Sequence, residues 1–221
     1  MTSQTAFDDI VSSLTADLSP VSRILPPALR TAAWLALVAT MGVVLASSCD
    51  LSALERRLMS APDMWISVTA SVATAVLAGL AAFELSVPGR SPRWALLPLP
   101  SLILWCWASG LGCLRTWAMP ADTGPQVAAE VGHCFTHILM MSVPLMAVMM
   151  VMVRRACPLR PRLTALVAGL AIAAASASLL NFDHPFDASA SDLLIHLVAV
   201  LLVITVNQLV ARRTVAYSAR A

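Results

Sequence analysis

Long runs of apolar residues dominate the chain, and charged residues separate them, such as Arg30 and Asp50 around the first run. A helix needs roughly 17–25 residues to cross a bilayer, and six runs are long enough. We therefore predict an all-α integral membrane protein with six transmembrane helices and short loops, at residues 31–49, 64–83, 94–114, 131–153, 163–182 and 193–211. Pro98, Pro100 and Pro144 lie within spans three and four and are expected to bend them.

Composition supports this class, because 59% of the 221 residues are hydrophobic and only 12% are charged. Soluble domains carry about 25% charged residues. The net charge of +2 makes nucleic acid an unlikely partner by electrostatics, and the lipid bilayer is the expected surroundings.

The arginines predict the orientation of the chain. If both termini are cytoplasmic, only Arg56, Arg57 and Arg115 of the fourteen basic residues lie in outer segments. Cytoplasmic loops of membrane proteins carry the excess of positive charge. We therefore expect a multi-pass protein in three parts: a cytoplasmic N-terminal segment 1–30, a six-span domain 31–211 and a cytoplasmic tail 212–221.

An amphipathic helix is predicted within the N-terminal segment. Its apolar residues are spaced i, i+4, i+7 and i+11 and form one stripe: Phe7, Val11, Leu14 and Leu18. The polar side is acidic, with Asp8, Asp9 and Asp17, and no basic residue precedes Arg23. Because helices that bind lipid usually carry Lys and Arg, we predict a basic, grooved protein partner. The alternative is that this helix packs onto the arginine-bearing inner loops of its own chain.

Histidine and cysteine residues are concentrated at the predicted outer side. Cys113 ends span three and Cys134 begins span four at similar depth, so they are the natural pair of thiols. Together with His133 and His137, these two cysteines are also candidate ligands for a soft divalent metal ion. Simple hydrogen bonding by the histidines is the alternative, and no other cofactor is predicted.

The sequence contains no hydrolase or transferase motif, so we do not expect an enzyme. A thiol oxidoreductase of the membrane would fit the cysteines loosely, but it would need a reactive CxxC motif, which the sequence lacks. A small membrane transporter or such an oxidoreductase is kept as the alternative function.

Several short motifs, in the same order along the chain, resemble the NrsF family of six-span membrane anti-sigma factors. They are ADLSPV at 16–21, PP at 26–27, LSVPGRS at 85–91, GCLR at 112–115, HCF at 133–135, CPLRP at 157–161 and HPFD at 184–187. The resemblance implies a protein of the bacterial inner membrane that sequesters an extracytoplasmic-function (ECF) sigma factor. It also implies release of that factor under oxidant or metal stress, which outward-facing cysteines sense. In this sequence we expect these redox-sensing cysteines to be Cys113 and Cys134. One departure is Asn181, near the position where the family has its second critical cysteine.

Overall fold

The structure, a computed structural model, describes residues 3–16, 23–60, 62–117, 125–156, 158–182, 198 and 201–209. It describes the backbone alone, without side chains, at residues 3–6, 57, 60, 62–63, 111–117 and 125–135. Throughout the described part, the secondary structure is helical. The helices are α1 (Ser3–Ala16), α2 (Pro27–Ser48), α3 (Leu51–Ser60), α4 (Pro62–Ser86), α5 (Leu99–Trp117), α6 (Pro125–Arg154) and α7 (Pro161–Leu180), with a 3-10 helix at Pro92–Leu96 and a helical segment at 201–209.

Four helices in the described part are long and apolar enough to cross a membrane. They are Pro27–Ser48, Met64–Ser86, Thr136–Arg154 and Pro161–Leu180, and they match predicted spans one, two, four and five. Helix α5 overlaps predicted span three, and the 201–209 segment lies within predicted span six. The all-helical membrane class is therefore confirmed, whereas the total of six spans stays a prediction.

Prolines set the start of helices more often than the sequence analysis assumed. Helix α2 begins at Pro27 rather than at residue 31, so Arg30 lies inside its first turn. Pro98 precedes α5 and Pro100 lies in its first turn, where a missing N–H costs no helical hydrogen bond. These two prolines therefore lie at the start of the helix. The expectation that they bend the middle of span three is wrong. Pro144 does lie inside α6.

Helix α3 is a short amphipathic helix that the sequence analysis did not predict. The Asp50 carboxylate caps its start and accepts hydrogen bonds from the Ser52 hydroxyl (2.7 Å), the Ser52 N–H (3.0 Å) and the Ala53 N–H (3.2 Å). The hydroxyl contact contributes most to lowering the pKa of Asp50 below its ordinary value. Asp50 is thus held as a charged N-cap between the first two spans.

Helix α4 lies at the centre of the bundle and packs against α2, α5 and α7. Its buried residues are mostly small, such as Ala75, Ala78 and Ala82, and α7 is buried almost all round. Small side chains let membrane helices approach closely enough to gain van der Waals contact. Large apolar residues such as Val43 on α2 and Ile103 on α5 point outward instead, where lipid tails would cover them.

Pairs of hydroxyl side chains join the helices inside this bundle. They are Ser67 with Ser109 (3.0 Å) and Thr74 with Ser101 (3.1 Å) between α4 and α5, Ser71 with Ser178 (2.9 Å) between α4 and α7, and Ser142 with Ser176 (3.0 Å) between α6 and α7. Each such bond in a membrane contributes about 0.6 kcal/mol. Together they fix the register of α4, α5, α6 and α7.

A glycine of α7 forms a close helix contact. At Gly169 an added Cβ atom would lie 2.9 Å from the Ile204 Cα atom, so α7 and the 201–209 segment approach there backbone to backbone. The buried Asn207 side chain strengthens the same contact by donating a hydrogen bond to the Ala165 carbonyl.

We expect Gly169→Ala to lower the thermal midpoint of the purified protein, since overpacking a tight contact costs about 1–3 kcal/mol. Gly110→Ala is the matched control, because a Cβ atom at Gly110 would meet open space. Measurement of both midpoints in detergent checks this expectation. Equal midpoints for the two variants and the wild type would contradict the close contact.

Candidate functional site

Helix α1 carries an apolar stripe that is open to solvent. Phe7, Val11 and Leu14 lie in α1 as predicted, and the exposed fractions of Phe7 and Leu14 are 65% and 67%. Ile10 joins the stripe with 57% exposure, because it lies three residues from Phe7 and four from Leu14. The sequence analysis missed Ile10, although the same helical spacing places it there.

The rest of α1 is polar and satisfied within the helix. The hydroxyls of Ser12, Ser13 and Thr15 donate to backbone carbonyls three or four residues earlier. Within the described part of the chain, Asp8 and Asp9 form no ion pair with an arginine of the inner loops. Residues 7–16 of α1 are all exposed, so the described parts of those loops do not cover this helix. Leu18 and Asp17, the other predicted partner-binding residues, lie outside the described residues.

The predicted redox-sensing cysteines lie on two helices with different neighbours. Cys113 lies in the last turns of α5 and Cys134 in the third turn of α6, and the structure describes only their backbone. Helix α5 packs against α4, whereas α6 packs against α7 and α2. In the described residues α5 and α6 share no extensive packed face. A bond between the two thiols would therefore join helices that are otherwise held by separate partners.

Of the four predicted metal ligands, the structure describes the side chain of one. His137 is a buried residue of α6, whereas the side chains of Cys113, His133 and Cys134 lie outside the description. Among the described side chains, no group of three or more His, Cys, Asp or Glu residues is arranged to hold a metal ion. The other described thiols are separate, with Cys49 at the end of α2 and Cys106 exposed on α5.

A buried arginine joins three helices at the end of the bundle where α2 begins, and the sequence analysis missed it. Arg30 is 3% exposed, and its Nη1 atom donates to the Ser86 hydroxyl (3.1 Å) and the Met152 carbonyl (3.5 Å). Its Nη2 atom donates to the Phe83 carbonyl (3.4 Å), and the guanidinium lies 5.3 Å from the centre of the Phe83 ring. We call Arg30, Phe83, Ser86 and Met152 the Arg30 junction.

The junction lies at the C-terminal ends of α4 and α6. Phe83 and Met152 fall in the last turns of these helices, where carbonyls lack backbone N–H partners within the helix. The Phe83 carbonyl also accepts a hydrogen bond from the Ser86 hydroxyl (2.6 Å). A cation is favourable at such an end because the helix dipole is negative there. Arg30 therefore caps two helices at once and ties both to the first turn of α2.

An ion pair flanks the junction. Glu84 on α4 forms a salt bridge with Arg90 (3.0 Å), which follows the turn at Gly89, and its charge also attracts Arg30. Gly89 has φ +85°, a left-handed conformation that favours glycine, so the chain reverses sharply there. This turn belongs to the LSVPGRS motif at 85–91, which therefore shapes the C-terminal end of α4.

Searches of the curated proteins and of the solved structures found no match. The family model NrsF, described as negative regulator of sigma F, matches residues 14–217. That range covers the whole membrane bundle and the Arg30 junction, and it begins at Leu14 near the end of α1. Because the match spans most of the chain, the protein belongs to the NrsF family of negative regulators of sigma factors.

Proposed function

We propose that this protein is an anti-sigma factor of the bacterial inner membrane that sequesters an ECF sigma factor through α1 on the cytoplasmic side. The observation that carries the proposal is the exposed apolar stripe of α1, in a chain whose family regulates sigma factors negatively. A sigma factor held at the membrane is kept from core RNA polymerase. The protein acts by binding and needs no catalytic step.

The chemistry of α1 supports a helix-in-groove mode of binding. Phe7, Ile10 and Leu14 present three large apolar side chains from successive turns, and full burial of each contributes about 1.5–3 kcal/mol. Asp8 and Asp9 flank them, so the partner's groove is apolar with a basic rim. Together they contribute about 4.5–9 kcal/mol, whereas micromolar affinity requires about 8.2 kcal/mol after the costs of association. Contacts beyond this stripe must therefore contribute to binding as well.

We further propose that both termini are cytoplasmic and that six spans cross the membrane, as the arginine distribution indicates. Release then starts at the outer face, where Cys113 and Cys134 respond to an oxidant or, with His133 and His137, to a soft metal ion. Such a stimulus shifts an equilibrium only if it favours one arrangement of the helices over another.

The orientation predicts which thiols react from outside. In single-cysteine proteins, Cys113 and Cys134 are expected to be labelled by a membrane-impermeant maleimide added to spheroplasts, whereas Cys157 is labelled only after lysis. Labelling is read as a mass shift on a gel. Labelling of Cys157 in intact spheroplasts would reverse the orientation and place α1 outside the cell.

Co-purification tests the function itself. We expect the detergent-solubilised protein, tagged at its C-terminus, to retain an ECF sigma factor in equimolar amount, identified by mass spectrometry. A variant lacking residues 3–16 but present at equal level should retain none. A full-length protein without a sigma factor would refute the proposal, and retention by the shortened variant would refute the role of α1.

A further inference from the structure

The first turn of α2 determines where the N-terminal segment leaves the bundle. Residues 23–26 lie outside regular secondary structure and lead directly into this turn, and Pro26 at its boundary has φ −52° and ψ 147°. The Arg30 N–H donates to the Pro26 carbonyl (3.1 Å), which fixes the last residue before α2 to the helix. Any rotation or shift of this turn therefore redirects the segment that carries α1.

Arg30 holds this turn at a cost. A buried guanidinium loses its hydration, and its Nε atom forms no hydrogen bond within the described part of the chain. Glu84, whose charge attracts Arg30, forms its salt bridge with Arg90 instead. An apolar residue would be buried here more cheaply, so the benefit of Arg30 lies in the specific arrangement that its three hydrogen bonds select.

Two hydrogen bonds connect α2 to α6. Besides the bond from Arg30 to Met152, the Trp34 indole N–H donates to the Leu145 carbonyl (3.2 Å), and Trp34 is fully buried. Arg30 and Trp34 are one turn apart on α2, and their acceptors follow in reverse order on α6. The two helices are thus antiparallel and held in register by polar contacts.

Helix α6 also reaches the opposite end of the bundle. It is continuous from Pro125 to Arg154, and Cys134 lies 18 residues before Met152, which is about 27 Å along the axis. A continuous helix carries an axial shift or rotation along its length, and Pro144 is the point at which α6 can bend. A movement at the outer end of α6 is therefore felt at the Arg30 junction.

We propose that Arg30 is the positioning residue of the N-terminal segment: its bonds to the ends of α4 and α6 hold α2 so that α1 retains its partner. Movement of α6 relative to α4 breaks these bonds, frees the first turn of α2 and lowers the affinity of α1. The proposal rests on the proposed function for its partner, but the link between Arg30 and the segment is a property of this chain alone.

The test compares Arg30→Met with Arg93→Met, which removes an exposed arginine of the neighbouring 3-10 helix and the same charge. We expect Arg30→Met to raise transcription from a sigma-dependent reporter at least fivefold, and Arg93→Met to stay within twofold of wild type. Hydrogen–deuterium exchange of residues 23–33 should accelerate at least tenfold in Arg30→Met and stay unchanged in Arg93→Met. A purely structural role would instead lower the thermal midpoint of the whole bundle.

Ser86→Ala keeps the test decisive if Arg30→Met does not fold. It removes one acceptor of Arg30 without adding volume, and we expect an intermediate rise in both exchange and transcription. Unchanged exchange of residues 23–33 in folded Arg30→Met, or in Ser86→Ala if the former is not obtained, would overturn the proposal. If the wild-type protein retains no sigma factor, the proposed function fails, and the exchange measurement still judges the role of Arg30.

Discussion

A Leu14→Glu protein is expected to lose its sigma factor and to switch the dependent genes on constitutively. Leu14 is the most exposed apolar residue of the α1 stripe, and the proposal buries it in the partner's groove. The substitution removes about 1.5–3 kcal/mol of apolar burial and places an unpaired charge in that groove, which costs several kcal/mol more. Binding should weaken at least a hundredfold, and reporter transcription should approach that of a strain lacking the protein.

Ser12→Glu is the matched control for this experiment. The substitution adds the same charge to the same helix. Because successive residues of an α-helix are rotated by about 100°, Ser12 faces away from the stripe. We expect it to repress normally and to retain its partner in pull-down. Immunoblots of the membrane fraction establish equal levels, which we expect because neither change touches a span. Full repression by Leu14→Glu at that level would exclude the stripe as the binding surface.

The length of apolar runs is why the fold class could be predicted from the sequence. A hydrocarbon core about 30 Å thick demands helices of fixed minimum length, and Pro161–Leu180 meets that demand by composition alone. The stripe of α1 follows equally directly from the helical period, which Ile10 extends by the same rule. Local sequence therefore determines which segments are helical and which of their faces are apolar.

Arg30 shows what local sequence does not determine. Before an apolar run, an arginine is typical of the membrane boundary, and this is how we interpreted it. Its burial arises because α4 and α6 end beside α2 and offer it the carbonyls of Phe83 and Met152. Such a site depends on three segments far apart in sequence. Only the arrangement of the helices reveals it.

The choice of packing partners for spans three and four is a second feature that local sequence does not determine. A short connection predicts that consecutive spans pack as neighbours, and on that basis we paired Cys113 with Cys134. In the described residues α5 packs mainly against α4, while α6 lies against α7 and α2. The structure describes Cys113 and Cys134 by their backbone alone, so their pairing stays a prediction. Hydroxyl pairs such as Ser67 with Ser109 and Ser142 with Ser176 favour these partners. The pairing of helices depends on such side-chain matches, which hydropathy does not register.

This arrangement gives a physical reason for expecting the two cysteines to act together. The hydrogen bond between Ser67 and Ser109 anchors α5 to α4 one turn before Cys113. A disulfide or a shared metal ion between Cys113 and Cys134 would draw the outer end of α6 toward that anchored helix. Because α6 is continuous to Met152, the pull would reach the Arg30 junction and favour release of the partner.

We therefore expect Cys113→Ser and Cys134→Ser, alone or together, to abolish induction of a sigma-dependent reporter while repression without stimulus stays normal. Each stimulus, chromate, cadmium or the thiol oxidant diamide, is applied separately, so that oxidation and metal binding are distinguished. Cys106→Ser is the matched control, since Cys106 is an exposed thiol two turns earlier on α5, and it should respond like wild type. Equal loss in both single variants supports a coupled pair, whereas loss in only one assigns sensing to that thiol. If the double variant responds normally to all three stimuli, the sensor is not this pair, and His133, His184 and Asp187 are the residues to substitute next.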